Sequence, residues 1–225
     1  MPNVGMRINE TIIRPAASMI DAFRALPVAN IGDSINRTFC MNSSIRPYNG
    51  NLLAGPAFTV KVRPGDNLLL HKALDLAMPG DIIVVDGQAD MSNALIGELM
   101  VLWAIKRGLG GIIIDGAIRD VGRLRTVSIP VYAAGVTPAG PYKEGPGEIN
   151  FPVVCGGVVV NPGDIIVGDA DGVVVISPAD AQSVLEKASA KSRDEQQTLR
   201  DIENGTWARG WVDTVLAAKG CESGR

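Results

Sequence analysis

The chain has 225 residues, 46% of them hydrophobic and 20% charged, enough apolar material for one substantial core. A net charge of −3 and only 4% aromatic residues exclude a general nucleic-acid binder, which needs a basic face and stacking rings. No apolar run reaches the roughly 18 residues of a membrane span, and Met1 to Pro15 lacks a signal-peptide core, so a cytoplasmic protein is expected.

Arg14 to Leu26 predicts a first helix, with Ala17, Ile20, Phe23 and Ala25 among its apolar positions. Pro27 separates it from a second short helix over Val28 to Asn36. Leu52 to Val62 is strand-like, with a bend or sheet edge near Gly55-Pro56. One turn triplet then occurs three times, as Pro64-Gly65-Asp66, Pro79-Gly80-Asp81 and Pro162-Gly163-Asp164; their flanks differ, so this is shared turn chemistry and not a sequence repeat. Asn67 to Ala77 predicts a helix and Asp81 to Asp86 a buried strand. A loop follows, then a helix over Gly97 to Arg107 that Gly108-Leu109-Gly110-Gly111 stops. Ile112 to Asp115 is the next buried strand. Continuous apolar runs separated by helices predict parallel strands covered on both faces.

Val131 to Gly135 reads as another strand and Thr137 to Asn150 as a Gly/Pro-rich loop. Val153 to Cys155, Val158 to Val160, Asp164 to Val167 and Val173 to Ile176 lie too close together for helical crossovers and predict an antiparallel half. Pro178 to Glu203 is a long polar helix, its charges a solvated face, and Trp207 to Lys219 a final helix. No boundary separates independent domains. A single α/β domain over 1–225 is expected, with a core of about 28–178 and a C-terminal helical extension of about 178–225.

The chemistry concentrates where two predicted strands end, at Asp86 and Asp115. In open α/β sheets, ligands collect outside the carboxyl ends of strands. A helix starting at Gly97 would turn the amides of Gly97, Glu98, Leu99 and Met100 toward an anion such as a carboxylate. Arg119 could grip the same carboxylate with two donors. Asp120 is a hard oxygen donor for Mg²⁺ or Mn²⁺, and Glu98 a candidate general base. From spacing alone, an Arg-Asp pair after a strand is more often a structural ion pair or helix cap.

Glu98, twenty intervening residues and Arg119-Asp120 resemble the D-x20-R-D signature of the RraA-like family, which includes the 4-hydroxy-4-methyl-2-oxoglutarate/4-carboxy-4-hydroxy-2-oxoadipate aldolases. Further blocks carry the likeness: Pro64-Gly65-Asp66-Asn67, His71-Lys72-Ala73-Leu74, Pro79 through Asp86, Gly116-Ala117-Ile118-Arg119-Asp120 and Asn161-Pro162-Gly163-Asp164. Together they span roughly Ile31 to Leu185. The chain departs at Glu98, where the signature has Asp. The resemblance implies a β/β/α sandwich of the swivelling type with a mixed sheet, and trimers or hexamers with active sites between subunits. It also implies Gly97 to Met100 amides for substrate, Arg119 for its carboxylate and Asp120 for the metal. The expected activity is metal-dependent cleavage of a 4-hydroxy-2-oxo acid to pyruvate and a second oxo acid, with oxaloacetate decarboxylation alongside. The alternative is a non-catalytic regulator like the family's namesake ribonuclease inhibitor.

Other residues offer less. His71 is the only histidine, sits in a predicted helix and reads as structural or interfacial. No G-x-S-x-G elbow occurs. Lys61, Lys72, Lys106 and Lys143 read as solvated lysines and not Schiff-base formers. Cys40, Cys155 and Cys221 are odd in number and far apart, which argues against a disulfide framework or structural zinc. Trp207, Trp211, Val212 and Leu216 suggest that the last helix docks on a partner subunit.

Overall fold

The structure, a computed structural model, describes residues 3–222. The chain opens with β1 (Met6–Ile8), α1 (Ala17–Arg24), α2 (Val28–Ser34), β2 (Arg46–Pro47) and β3 (Leu53–Val62). It continues through α3 (Leu68–Leu76), β4 (Ile82–Ile96), α4 (Glu98–Lys106), β5 (Gly111–Ile118), α5 (Val121–Leu124) and β6 (Val131–Val136). The β-rich half holds β7 (Gly147–Ile149), β8 (Val153–Cys155), β9 (Val158–Val160), β10 (Ile165–Asp169) and β11 (Gly172–Ile176), followed by helices α6 (Ala181–Glu203) and α7 (Gly210–Ala218).

The main sheet runs β1-β7-β3-β4-β5-β6-β2. β3, β4, β5 and β6 are mutually parallel, as the buried apolar runs predict. Antiparallel pairing takes over in the second half, in β3 with β7, β8 with β9, and β10 with both β11 and β3. Gly55-Pro56 marks a change of partner: Leu53 to Pro56 pair with β10, and Ala57 to Lys61 with β4. A Cβ at Gly55 would collide with the Gly80 carbonyl, so the glycine permits this close crossing.

Alternate residues of the central strands feed two cores. Ile83 and Val85 face one side with Phe58, Leu70, Val101 and Ile114, against α3 and α4. Ile82 and Val84 face the other with Ile113, Tyr132, Val158 and Ile166. A third cluster joins Phe23 and Ile31 to Val167, Val174, Val184 and Ala188, and anchors the start of α6. α7 buries none of its residues, and Trp211, Val215 and Leu216 on it are exposed.

Several expectations need correction. α1 starts at Ala17, after Pro15, and ends at Arg24, so it is shorter than the Arg14 to Leu26 pattern suggests. No free loop separates Asp86 from Gly97: β4 runs on to Ile96 through register shifts, with Gln88 and Ala89 in left-handed conformations. β5 likewise continues past Asp115 to Ile118. Backbone pairing across the bulges satisfies the polar groups a loop would leave open. The Thr137 to Asn150 loop ends in β7, and β1, β2 and α5 were too short for periodicity to reveal.

Candidate functional site

The long β4 and β5 end together, with Ile96 paired to Ile118, so Gly97 and Arg119 emerge side by side at the carboxyl edge of the sheet. The Arg119 amide donates to the Ile96 carbonyl at 2.9 Å. Asp120 adopts a left-handed conformation (φ 59°, ψ 31°), which turns the chain sharply into α5. Asp tolerates this geometry better than most residues. Gly97 has no room for a side chain: a Cβ would strike the Asp120 carboxylate and lie 2.9 Å from Arg119 Cγ.

A cleft of about 400 Å³ opens here, lined among others by Gly97, Glu98, Leu99, Met100, Arg119 and Asp120. All six predicted site residues therefore share one surface. The Glu98 amide donates to Asp120 Oδ2 at 2.9 Å, so Asp120 occupies one donor at the start of α4. The Leu99 and Met100 amides and Asp120 Oδ1 have no hydrogen-bond partner among the described residues. Arg119 Nε lies 3.8 Å from Asp120 Oδ2, a loose contact between groups that are each over 40% exposed. Its guanidinium is thus available to a ligand. The Glu98 carboxylate is less free than the sequence suggests, because Oε1 accepts from Arg123 Nε at 3.2 Å.

Asp86 and Asp115 are not at the cleft. They are register partners inside β4 and β5, both buried, with carboxylates bonded to backbone amides around β8: Val154 N at 3.5 Å and Gly156 N at 2.9 Å. Cys155 beside them is fully buried, and burial pushes its thiol well up, so it is unreactive. All three cysteines are free.

Three cleft residues escaped sequence reasoning: Asn67, His71 and Lys143. Asn67 is buried, donates to the Leu95 carbonyl at 2.8 Å, and leaves its Oδ1 without a partner. His71 lies one turn further along α3. Burial first, then the Lys143 charge, push its imidazole below the ordinary value against the opposing pull of Asp75. Lys143 arrives on the loop before β7, pinned by the buried Asp66. Asp66 Oδ2 accepts from the Glu144 and Gly145 amides at 2.7 and 2.9 Å, while Oδ1 accepts from Leu68 N at 2.9 Å. The first Pro-Gly-Asp triplet therefore ties this loop to α3. The signal in the sequence was Asp66-Asn67 followed by His71 one turn on, although nothing local links them to Lys143.

Among the described residues, no three His, Cys, Asp or Glu side chains gather as a metal cage. The donor set suits a hard, water-rich cation instead. Mg²⁺ is commonly held by one or two carboxylates and completed by water and substrate oxygens. Asp120, with Oδ2 held and Oδ1 open, fits that role.

Residues 20–175 match the family model for RraA-like proteins, described as Aldolase/RraA. A protein of Halalkalibacterium halodurans, provisionally named a 4-hydroxy-4-methyl-2-oxoglutarate aldolase, is 41% identical over 199 residues, covering 88% of this chain and 95% of its own. Among solved structures, RraAS2 of Streptomyces coelicolor, described as an unusual member of the RNase ES inhibitor RraA family, superposes with a TM-score of 0.75 at 27% identity, covering 83% of this chain and 98% of its own. An uncharacterised protein of Pseudomonas syringae shares the fold, with a TM-score of 0.77 at 24% identity over 86% of this chain and 96% of its own. No helix among the described residues is long and apolar enough to cross a membrane. By these matches, the chain belongs to the RraA-like (Aldolase/RraA) family.

Proposed function

We propose that the chain is a divalent-metal-dependent lyase that cleaves 4-hydroxy-2-oxo di- or tricarboxylic acids to pyruvate and a second oxo acid. One observation carries the reading: two free amides at the start of α4, an accessible guanidinium and an open carboxylate oxygen converge on one cleft. The relative named as an aldolase supports it.

Arg119 and the Leu99 and Met100 amides bind the substrate's C1 carboxylate. Asp120 holds Mg²⁺ or Mn²⁺, which when bound supplies Lewis acidity at the 2-oxo group. In the reaction the C4 hydroxyl loses its proton and C4–O becomes a carbonyl. The C3–C4 electron pair moves to C3, giving the enolate of pyruvate, and protonation at C3 completes the product. Glu98, the sequence-based candidate for the base acting through a water, would take the C4 proton in competition with its bond to Arg123. His71, in the same cleft and with its pKa lowered by burial and by Lys143, is the second candidate. Oxaloacetate decarboxylation passes through the same enolate and is expected as a second activity.

The similarity to RraAS2 favours a second reading, a protein-binding regulator without catalysis. Against it, the relative named as an aldolase is 41% identical over 88% of this chain, whereas RraAS2 is 27% identical over 83%. We read the exposed Trp207, Trp211 and Leu216 as a subunit-packing surface in a homotrimer or homohexamer. The test is pyruvate release from 4-hydroxy-4-methyl-2-oxoglutarate and from oxaloacetate, with Mg²⁺ and with EDTA, on protein sized by light scattering. Turnover that disappears with EDTA and returns with Mg²⁺ is expected. No turnover of any 4-hydroxy-2-oxo acid would leave the regulator reading standing, and a monomer at micromolar concentration would remove the packing role.

A further inference from the structure

Glu98, Asp120 and Arg123 form a closed ring of three hydrogen bonds. The Glu98 amide donates to Asp120 Oδ2 at 2.9 Å, the Arg123 amide donates to the Asp120 carbonyl at 2.9 Å, and Arg123 Nε donates to Glu98 Oε1 at 3.2 Å. Arg123 Nη1 also reaches Thr126 Oγ1 at 3.3 Å, which steadies the guanidinium on the far side. The ring spans the first turn of α4 and the four residues of α5, and Asp120 lies between them. Of these bonds, one fixes the Asp120 backbone, one uses its Oδ2 and the third links the two flanking residues, so none occupies Oδ1.

We infer that Glu98 and Arg123 are a positioning pair that sets the Asp120 carboxylate for the cation, and that Glu98 is not the proton acceptor. The inference rests on the metal-dependent reading above and extends it to a residue, Arg123, that lies outside the Glu98/Arg119-Asp120 spacing. Reach explains why Glu98 suits the role. Aspartate there is one C–C bond, about 1.5 Å, shorter and falls short of the Arg123 guanidinium. The glutamate spans that gap and closes the ring. The pair is half-exposed, so its direct contribution to fold stability is small, and its effect appears in the orientation of Asp120.

The experiment is a double-mutant cycle of Glu98→Gln, Arg123→Gln and the two combined, with Glu98→Asp as a fourth variant. Mn²⁺ binding is read directly by electron paramagnetic resonance, and kcat at saturating Mg²⁺ is read separately. Each single variant, Glu98→Asp included, should weaken Mn²⁺ binding by about three- to tenfold, the effect of one hydrogen bond, and the double variant should be no worse than either single. At saturating Mg²⁺, Glu98→Gln and Arg123→Gln should change kcat to the same extent. If Glu98→Gln abolishes kcat at saturating Mg²⁺ while Arg123→Gln does not, Glu98 is the proton acceptor and the inference fails. Unchanged Mn²⁺ affinity in every variant makes the pair a solvated surface contact and also overturns it. If the unaltered protein binds no Mn²⁺, the metal-dependent reading itself falls.

Discussion

Two pairs of acidic positions on the same two strands behave in opposite ways. Asp86 and Asp115, midway along β4 and β5, are buried; the Gln88 and Val154 amides donate to the two oxygens of Asp86, and the Gly156 amide donates to one oxygen of Asp115. Glu98 and Asp120, just past the ends of those strands, are 40% and 45% exposed at the side chain, and Asp120 keeps one oxygen free. Both pairs follow apolar runs, so their local sequence looks alike. Burial makes the difference, since Asp115 and Asp120 each accept one backbone amide and only Asp115 is covered by the surrounding strands. A buried carboxylate needs donors for every lone pair it cannot turn to water. A carboxylate at the surface can be held by some donors and still be left open to a ligand.

The comparison breaks most sharply at Asp120. Asp120→Asn keeps an acceptor for the Glu98 amide but, at the cation site proposed above, replaces an anion with a neutral amide. Losing an outer partner of a metal site typically costs about 10- to 100-fold in affinity, so losing the anionic donor should raise the Mg²⁺ requirement by at least about a hundredfold. Mg²⁺ titration of activity measures this, with circular dichroism as a check of folding. A normal requirement would reduce Asp120 to a helix cap.

Arg119→Lys tests the open side of the same site more gently. It keeps the charge and loses the planar fork. The expected loss of about 1.5–3 kcal/mol is roughly tenfold to over a hundredfold in kcat/KM, with metal affinity nearly unchanged. A raised Mg²⁺ requirement with normal kcat/KM at saturation would reverse the roles of Arg119 and Asp120.

The smallest effect is expected at the buried pair. Burial raises the Asp115 carboxyl above its ordinary range; the Gly156 amide opposes the shift and the Asp86 charge adds to it. A carboxyl whose pKa is raised by folding contributes stability below its unfolded value, near 3.9, and loses it as pH climbs through the folded value. Asp115→Asn should therefore leave Tm at pH 7 unchanged or slightly higher, and that advantage should fade toward pH about 4. Activity should not change. A marked fall in Tm at pH 7, read by thermal unfolding, would mean that the anionic bond to Gly156 outweighs the cost of burial.

Much of this was legible before folding. The alternating and continuous apolar runs placed the four parallel strands, α3, α4 and the antiparallel half within a few residues, because burial on one or two faces imposes those patterns. The spacing from Glu98 to Arg119-Asp120 put one helix start and one strand end within reach of each other. Periodicity carried no signal for β1, β2, β7 and α5, each two to four residues long.

The sequence by itself determined that Glu98 opens a helix and that Arg119-Asp120 closely follow a strand, since that follows from local periodicity and turn chemistry. Only the tertiary structure decided what each side chain meets there. Asp86 and Asp115 lost their expected place because β4 and β5 run on past them and amides in and just after β8 bond to their carboxylates. Lys143 joined the cleft because Asp66, 77 positions earlier, binds the amides of its loop. Glu98 turned to Arg123 because α5 presents a guanidinium 3.2 Å away. Each is a contact between segments distant in the chain, and partners at such separations are set by packing, on which spacing along one strand or helix carries no information.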